Sequence, residues 1–270
     1  MFSICTVLYG DYPQLAQRLL DSWKLRAHVQ DFRIGLNAVG DKTRKLVETW
    51  AKSQVRREPV YVYEAVNADN LGKYPLMRAM FYDRPLASRV MWFDDDSFLD
   101  QSVGVPWWDT VLVASLQVTQ LGAVHQIRQR HMQHAVIRQQ PWYTGKPVDD
   151  RHLFRFVTGG WWVADSAFIQ KWDYPFPALY HNGGDSILGE LIRQQSGVLV
   201  HFTPHIRCHC ESCAAKPVLE DMPVAHINVG GRKGRRGIGV TQENYVWSDG
   251  CAHPSLEHQN FDLKVQRYEV

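Results

Sequence analysis

Apolar runs and amphipathic stretches alternate along the first hundred residues. Short, β-branched apolar runs typical of buried strands lie at residues 2–8, 32–37, 60–63 and 89–93. Between them, apolar side chains repeat at three-to-four spacing, which predicts helices at residues 13–26, 42–54 and 74–82. This alternation predicts an α/β fold, with a mostly parallel sheet flanked by helices and ligands bound beyond the carboxyl ends of its strands.

The second half of the chain is less regular. The pattern predicts helices at residues 107–120 and 185–195 and strands at residues 121–127, 156–164 and 198–202. A polar stretch, 129–150, interrupts these elements, and an irregular extension rich in Cys, His, Gly and Arg follows the last strand.

Composition narrows the class of protein. The 270 residues are 45% hydrophobic and 21% charged, which is typical of a globular protein. A formal charge of +2 gives no global field for nucleic acid or membrane, so such a partner would need a local patch. No run approaches the roughly 20 apolar residues of a membrane span, and no signal peptide is recognisable, so we expect no membrane association and a cytoplasmic protein. The odd count of five cysteines favours reduced thiols or a metal site over a disulfide framework.

Three consecutive carboxylates, Asp94, Asp95 and Asp96, follow the predicted strand 89–93. Adjacent carboxylates repel each other unless a cation lies among them. Alternating side chains such as Asp94 and Asp96 could reach one site, which favours a hard divalent cation, Mg²⁺ or Mn²⁺. A solvated acidic turn is the alternative, but the position after a buried strand favours the metal.

Further short motifs accompany this Asp-x-Asp sequence in order. Asn67–Lys73 and Arg78 precede it, and Gly159–Trp161 and Gly183–Asp185 follow it. With these motifs, residues 2–210 resemble the nucleotide-diphospho-sugar glycosyltransferases of the GT-A fold, and are most similar to glycosyltransferase family 2.

The resemblance implies transfer of a sugar from a nucleotide-diphosphate donor, such as a UDP-sugar, to an acceptor hydroxyl. If Asp185 acts from the face opposite the nucleotide, the transfer is inverting. It implies a GT-A-like domain over residues 1–210, in which residues 1–100 bind the nucleotide and 101–210 the acceptor. Residues 211–270 would form an extension packed on that domain. Asp96, with Asp94, would hold the metal.

The same resemblance implies the donor-binding residues: Tyr9, Gly10, Asp11, Asn70, Lys73, Arg78 and Asp95. Residues 8–11 would hold the base, with Tyr9 as a stacking face, and Asp94 or Asp95 would bind the ribose. Lys73 and Arg78 suit phosphate or sugar contacts, although a solvated helix start explains them equally well.

The acceptor side is expected at Gly159, Gly160, Trp161 and Gly184. Asp185 is the candidate base that takes the proton of the attacking hydroxyl. A simple helix N-cap is the alternative role for Asp185, and Glu190 is a second candidate base.

A Cys/His-rich segment follows the last predicted strand. By resemblance His209, or else His201 or His205, completes the metal site. A structural Zn²⁺ held by Cys208, Cys210 and Cys213 with Cys251 or His253 is an alternative, although the spacing departs from paired Cys-x-x-Cys motifs. A reduced cysteine cluster is the third possibility.

Four cations, Arg232, Lys233, Arg235 and Arg236, lie among glycines and are expected to contact phosphate, either of the donor or of a nucleic acid. With the aromatic residues Trp142 and Tyr143, this loop resembles phage-type enzymes that glycosylate hydroxymethylated pyrimidines in DNA. A surface glycan, glycolipid or protein is the alternative acceptor. A non-catalytic nucleotide-sugar-binding module and a nucleotidyltransferase are alternatives from other classes.

Overall fold

The structure is a computed structural model that describes residues 1–10, 12–54, 57–65, 71–100, 104–128, 138–147, 153–177, 179, 184–208 and 262–269. Its strands are β1 Phe2–Tyr9, β2 Val29–Asn37, β3 Val60–Ala65, β4 Arg89–Asp94, β5 Ser97–Leu99, β6 Gln120–Arg128, β7 Leu153–Asp165, β8 Leu199–His201, β9 Ile206–Cys208 and β10 Leu263–Tyr268. Its helices are α1 Pro13–Ser22, α2 Asp41–Gln54, α3 Lys73–Tyr82, α4 Val105–Ser115, α5 Ser166–Lys171 and α6 Gly184–Gln194.

A single eight-stranded sheet forms the centre of the fold, in the order β10-β3-β2-β1-β4-β7-β6-β8. The pairs β1–β2, β1–β4, β2–β3 and β6–β8 are parallel. Strand β10 pairs antiparallel with β3, and β7 pairs antiparallel with both β4 and β6. The carboxyl ends of β1, β2, β3 and β4 therefore lie at one edge, as the alternation of strands and helices predicts. The expected α/β architecture is confirmed.

The sheet is covered by helices on both faces. On one face, α1, α2 and α4 pack over an aromatic cluster in which Trp23 contacts Phe32, Trp50 and Phe93. On the other face, α3, α5 and α6 pack over a second core centred on Trp92. Since side chains alternate along each strand, β1, β3, β4 and β7 contribute to both cores, whereas β2 contributes apolar side chains only to the first.

The structure differs from the expectations mainly at short elements. Helix α1 ends at Ser22 and α4 at Ser115, earlier than the apolar spacing indicates. Strands β5 and β9 form a separate two-stranded sheet, and their three residues are too few to show a period. Strand β10 is a half-exposed edge strand, and its polar sequence lacks the apolar alternation that would have predicted it. Among the described helices, none is both long enough and apolar enough to cross a membrane.

A buried ion pair ties α3 to the sheet. Arg33 on β2 is fully buried and forms a bidentate pair with Asp31, at 3.2 and 3.0 Å. Its remaining N–H groups donate to the carbonyl oxygens of Met80, Arg84 and Pro85, at the end of α3 and just beyond it. This guanidinium therefore fixes the carboxyl end of the helix whose first residue is Lys73.

We predict that Arg33→Met lowers the free energy of unfolding by about 3–5 kcal/mol, because it leaves the buried Asp31 carboxylate without its counter-ion. Urea unfolding followed by circular dichroism measures the loss. The control is Lys24→Met, which removes a pair with Asp21 whose lysine is 71% exposed, and which should cost less than about 1 kcal/mol. Equal losses in the two variants would contradict this role of Arg33.

Candidate active site

Strand β4 ends at Asp94, and the next two carboxylates lie in a turn before β5 begins at Ser97. Asp95 is 8% exposed and Asp96 is 3% exposed, whereas Asp94 is half-buried. The triplet is therefore no solvated acidic turn. The alternation of side chains between the two faces of the sheet ends with β4 at Asp94, so it does not determine which way the Asp95 and Asp96 side chains point.

Asp94 accepts hydrogen bonds from Lys73 and Trp92. The Lys73 ammonium lies 2.6 Å from its Oδ1, and the Trp92 indole Nε1–H donates to the same oxygen at 2.8 Å. Trp92 and Asp94 are two residues apart on β4, so they share the face of the sheet on which α3 packs. The structure therefore brings Asp94 and Lys73 together at the end of β4.

The backbone before Lys73 is fixed by Asn37, the last residue of β2. Asn37 Nδ2 donates to the Gly72 carbonyl at 3.3 Å, and its Oδ1 accepts from the Leu71 N–H at 2.9 Å. Gly72 has φ +74°, a left-handed conformation that favours glycine. Helix α3 therefore starts at Lys73, beside the end of β4.

Asp95 connects the triplet to the end of β1. Its Oδ2 accepts the backbone N–H of Tyr9 at 3.3 Å, and the next N–H, of Gly10, donates to the Asn37 carbonyl at 3.3 Å. Three of the expected donor-site residues, Tyr9, Gly10 and Asp95, thus lie together at the carboxyl ends of β1, β2 and β4.

Asp185 lies in α6, whose first residue, Gly184, packs on a side chain of α3. Helix α6 begins at Gly184, so Asp185 belongs to the first helical turn and is not an N-cap. Its Oδ1 accepts the Ser186 N–H at 3.0 Å. Gly184 packs against the ring of Tyr74, the neighbour of Lys73 in sequence. Asp185 is therefore linked to the acidic triplet through Tyr74 and Lys73.

Glu190, the second candidate base, has a structural role. It is buried and accepts from Arg193 Nε at 2.7 Å and from Gln194 Nε2 at 2.8 Å. This hydrogen bonding with Glu190 raises the pKa of Arg193. Glu190 therefore holds the end of α6 together, and Asp185 is the better candidate.

Strand β9 leads the chain back to the triplet. Cys208, its last residue, pairs with Ser97, which directly follows Asp96. His209, the expected third metal ligand, is the residue after Cys208 and lies outside the described residues. The alternatives His201 and His205 are both exposed, and His201 Nδ1 accepts the Val124 N–H at 3.2 Å.

Two expected site residues, Arg78 and Trp161, make their contacts with other parts of the fold. Arg78 donates to Asp173 at 2.8 Å and to the Pro175 carbonyl at 2.7 Å, so it joins α3 to the segment after α5. Trp161 is buried, with its ring 6.4 Å from that of Phe93. Gly159 and Gly160 precede it in β7, whose pairing of Trp161 with Phe93 places them beside the end of β4.

Several expectations fall outside the described residues. They concern Asp11, Asn70, His209, Cys210, Cys213, Arg232, Lys233, Arg235, Arg236, Cys251 and His253. Cys208 is described only through its backbone. Among the described side chains, no group of three or more His, Cys, Asp or Glu could hold a metal ion. Trp142, expected as a stacking surface for bases, is buried in the core and unavailable for that role.

Comparison with solved structures defines the class of fold. The mannosyltransferase PcManGT from Pyrobaculum calidifontis, in complex with GDP-mannose and Mn²⁺, matches with a TM-score of 0.52 at 12% identity, over 95% of this chain and 68% of that one. The expected GT-A-like fold is thereby confirmed, and at this identity the match concerns the fold alone.

Two further glycosyltransferases are matched more loosely. S. aureus TarS matches with a TM-score of 0.46 at 10% identity, over 75% of this chain and 35% of that one. The galactosyltransferase LgtC, in complex with donor and acceptor sugar analogues, matches with a TM-score of 0.39 at 11% identity, over 75% of this chain and 73% of that one. Comparison with models of known families gives no match, and comparison with curated proteins by sequence gives none either.

Sequence reasoning missed Trp92, Asn37 and Tyr74 as residues that shape the site. Trp92 and Tyr74 are apolar enough to be assigned to the core, and both are indeed buried. Asn37 carried a usable signal, since it is a polar residue at the end of an apolar strand, where the edge of a parallel sheet is expected.

We predict that Gly184→Ala destabilises the protein by about 1–3 kcal/mol through overpacking. A Cβ at this position would lie 2.1 Å from Tyr74 Cζ and 2.4 Å from its hydroxyl oxygen. In a Tyr74→Leu background the same change should cost less, because the ring is gone. Thermal unfolding of the two single variants and the double variant measures this, and strictly additive losses would contradict the contact.

Proposed function

We propose that the protein is a metal-dependent glycosyltransferase that moves a sugar from a nucleotide-diphosphate donor to an acceptor hydroxyl. One observation carries the proposal: at the carboxyl edge of a GT-A-like sheet, Lys73 pairs with Asp94, and two nearly buried carboxylates, Asp95 and Asp96, follow Asp94 directly. Such an edge is where open α/β sheets bind their ligands. The combination suits a cation and the phosphates of a donor.

The residues fit a hard divalent cation. Carboxylate oxygens are the ligands that Mg²⁺ and Mn²⁺ prefer, and a nearly buried carboxylate such as Asp96 is stabilised by a nearby cation. We propose Asp96 as the principal ligand and His209 as a further one, since Cys208 and Ser97 pair in the adjacent strands. A bound Mn²⁺ or Mg²⁺ supplies Lewis-acid stabilisation of the diphosphate leaving group.

The donor is proposed to lie along the ends of β1, β2 and β4. Tyr9, Gly10 and Asp95 would line the nucleoside, together with Asp11 and Asn70, and Lys73 would contact the diphosphate. Since Arg78 is engaged by Asp173 and Pro175, its contribution would be to hold α3 in place. Among these residues, Lys73 supplies the positive charge next to the triplet.

In the proposed transfer, the acceptor hydroxyl oxygen attacks the anomeric carbon of the donor sugar. The bond from that carbon to the diphosphate oxygen breaks, and its electron pair stays on the oxygen. The hydroxyl proton passes to the Asp185 carboxylate. A single displacement of this kind inverts the anomeric configuration.

The acceptor is proposed only as a hydroxyl compound that binds near Gly160 and Gly184. Gly160, which has no side chain, would allow a close approach of substrate, with Gly159 and Trp161 as its neighbours in β7. The space beside Gly184 is filled by the Tyr74 ring, so Gly184 would act by keeping that ring close to α6. The DNA acceptor depends on Arg232, Lys233, Arg235 and Arg236, and no described residue supports it.

The decisive experiment is a hydrolysis screen of UDP- and GDP-sugars with Mn²⁺. We predict slow donor hydrolysis that EDTA abolishes. Asp96→Asn should lose hydrolysis together with Mn²⁺ binding. Asp185→Asn should still bind the Mn²⁺–nucleotide complex but transfer sugar about 10²–10⁴-fold more slowly, because the base is removed.

Asp109→Asn is the matched control, since this carboxylate is exposed and pairs with His28 away from the triplet. It should behave like the unaltered protein. Donor hydrolysis that continues undiminished in EDTA would contradict the proposed metal dependence. Pyrophosphate release from a nucleoside triphosphate would identify a nucleotidyltransferase instead, and nucleotide-sugar binding without turnover under any condition would identify a binding module.

A further inference from the structure

Asp94 differs from its two neighbours in what it contacts. Its Oδ1 accepts both from the Lys73 ammonium, at 2.6 Å, and from the Trp92 indole, at 2.8 Å. Asp95 instead accepts a backbone N–H, and Asp96 is more deeply buried. The three carboxylates therefore have different surroundings, although they are adjacent in sequence.

The Trp92 donor cannot easily change direction. Its ring is fully buried, stacks on Trp162 at 6.0 Å with an interplanar angle of 16°, and meets the ring of Phe81 at 6.4 Å. Side chains in such close-packed surroundings keep one rotamer. The indole N–H therefore fixes the orientation of the Asp94 carboxylate.

Lys73 is fixed from several directions. Its ammonium lies 5.1 Å from the centre of the Trp92 ring and 5.7 Å from that of Tyr74, within cation–π range. Both partners of the Lys73–Asp94 ion pair are mostly shielded, with side chains 17% and 22% exposed. An ammonium has three N–H donors, so Lys73 can keep Asp94 and still donate to an anion.

Charge balance distinguishes two roles for Asp94. The ion pair with Lys73 offsets the negative charge of Asp94, and the Trp92 N–H donates to the same Oδ1, so this oxygen is already engaged. A cation ligated by Asp94 would lie close to the Lys73 ammonium, and the repulsion between these like charges disfavours that arrangement.

We propose that Asp94 is a positioning residue that, together with Trp92, holds the Lys73 ammonium for the donor diphosphate and does not ligate the metal. The inference rests on the proposed function and divides its acidic triplet into two parts. Asp94 positions Lys73 for the donor phosphate, whereas Asp96 binds the cation.

A double-mutant cycle tests this division of roles. The probes are UDP and GDP with saturating Mn²⁺, with nucleotide affinity measured by calorimetry and Mn²⁺ affinity of each nucleotide complex by electron paramagnetic resonance. Lys73→Met should weaken nucleotide binding at least about tenfold, since it removes a hydrogen bond to a charged group. Asp94→Asn should weaken it too, but should add less than about a twofold effect in the Lys73→Met background.

Mn²⁺ affinity separates Asp94 from Asp96. Asp94→Asn should leave it within about twofold of the unaltered protein, a change no larger than the scatter between independent sites. Asp96→Asn should lower it strongly. Trp92→Phe, which keeps an aromatic ring but removes the N–H, should follow Asp94→Asn in nucleotide affinity, with circular dichroism confirming that each variant is folded.

The outcomes distinguish this inference from the proposed function. If Asp94→Asn lowers Mn²⁺ affinity as Asp96→Asn does, also in the Lys73→Met background, Asp94 is a ligand and the inference is overturned while the proposed function stands. If the unaltered protein binds neither UDP nor GDP with Mn²⁺, the proposed function is overturned and the inference with it.

Discussion

Three adjacent carboxylates at the end of a buried strand repel one another, and the surrounding structure is arranged to offset that repulsion. Asp94 receives an ammonium and an indole N–H, and Asp95 receives the N–H of Tyr9. Asp96 is almost completely buried, where a carboxylate is stable only with strong compensation. The same repulsion is the physical basis of the proposal that a divalent cation binds at the end of β4.

The fold brings these groups together through a few fixed backbone positions. Asn37, at the end of β2, donates a hydrogen bond to the Gly72 carbonyl and so fixes the backbone just before α3 begins at Lys73. Arg33 then holds the other end of that helix against the sheet. On the far side, the ring of Tyr74 packs on Gly184, where α6 and Asp185 begin. The residues proposed for the donor side and for the acceptor side are thus connected through one helix, α3.

The long elements were predictable because burial imposes a period on them. Strands β1 to β4 and helices α1 to α3 follow directly from apolar spacing in the sequence. The short strands β5 and β9 could not be found in this way, since their pairing of Ser97 with Cys208 depends on tertiary contact. Strand β10 lies at the sheet edge with mostly exposed side chains, so its sequence shows little apolar alternation.

For the site, the rule that ligands bind at the carboxyl ends of strands directed attention to the acidic triplet, and the resemblance added Tyr9 and Lys73; their roles in binding stay predictions. The partners within the site were not predictable. That Lys73 pairs with Asp94 depends on where β4 stops alternating and on the packing of Trp92 against Trp162. The sequence also gave no indication that Arg78 would be engaged by Asp173, because that contact spans 95 positions in the chain.

The central claim is that a cation is held at the end of β4, beside Asp96, with Lys73 next to the donor phosphates. The most direct measurement is anomalous diffraction from crystals grown with Mn²⁺ and a nucleoside diphosphate. The account predicts a manganese peak at the Asp96 carboxylate and a diphosphate oxygen within hydrogen-bond distance of Lys73 Nζ. A bound nucleotide with no manganese peak beside residues 95 and 96 would contradict it.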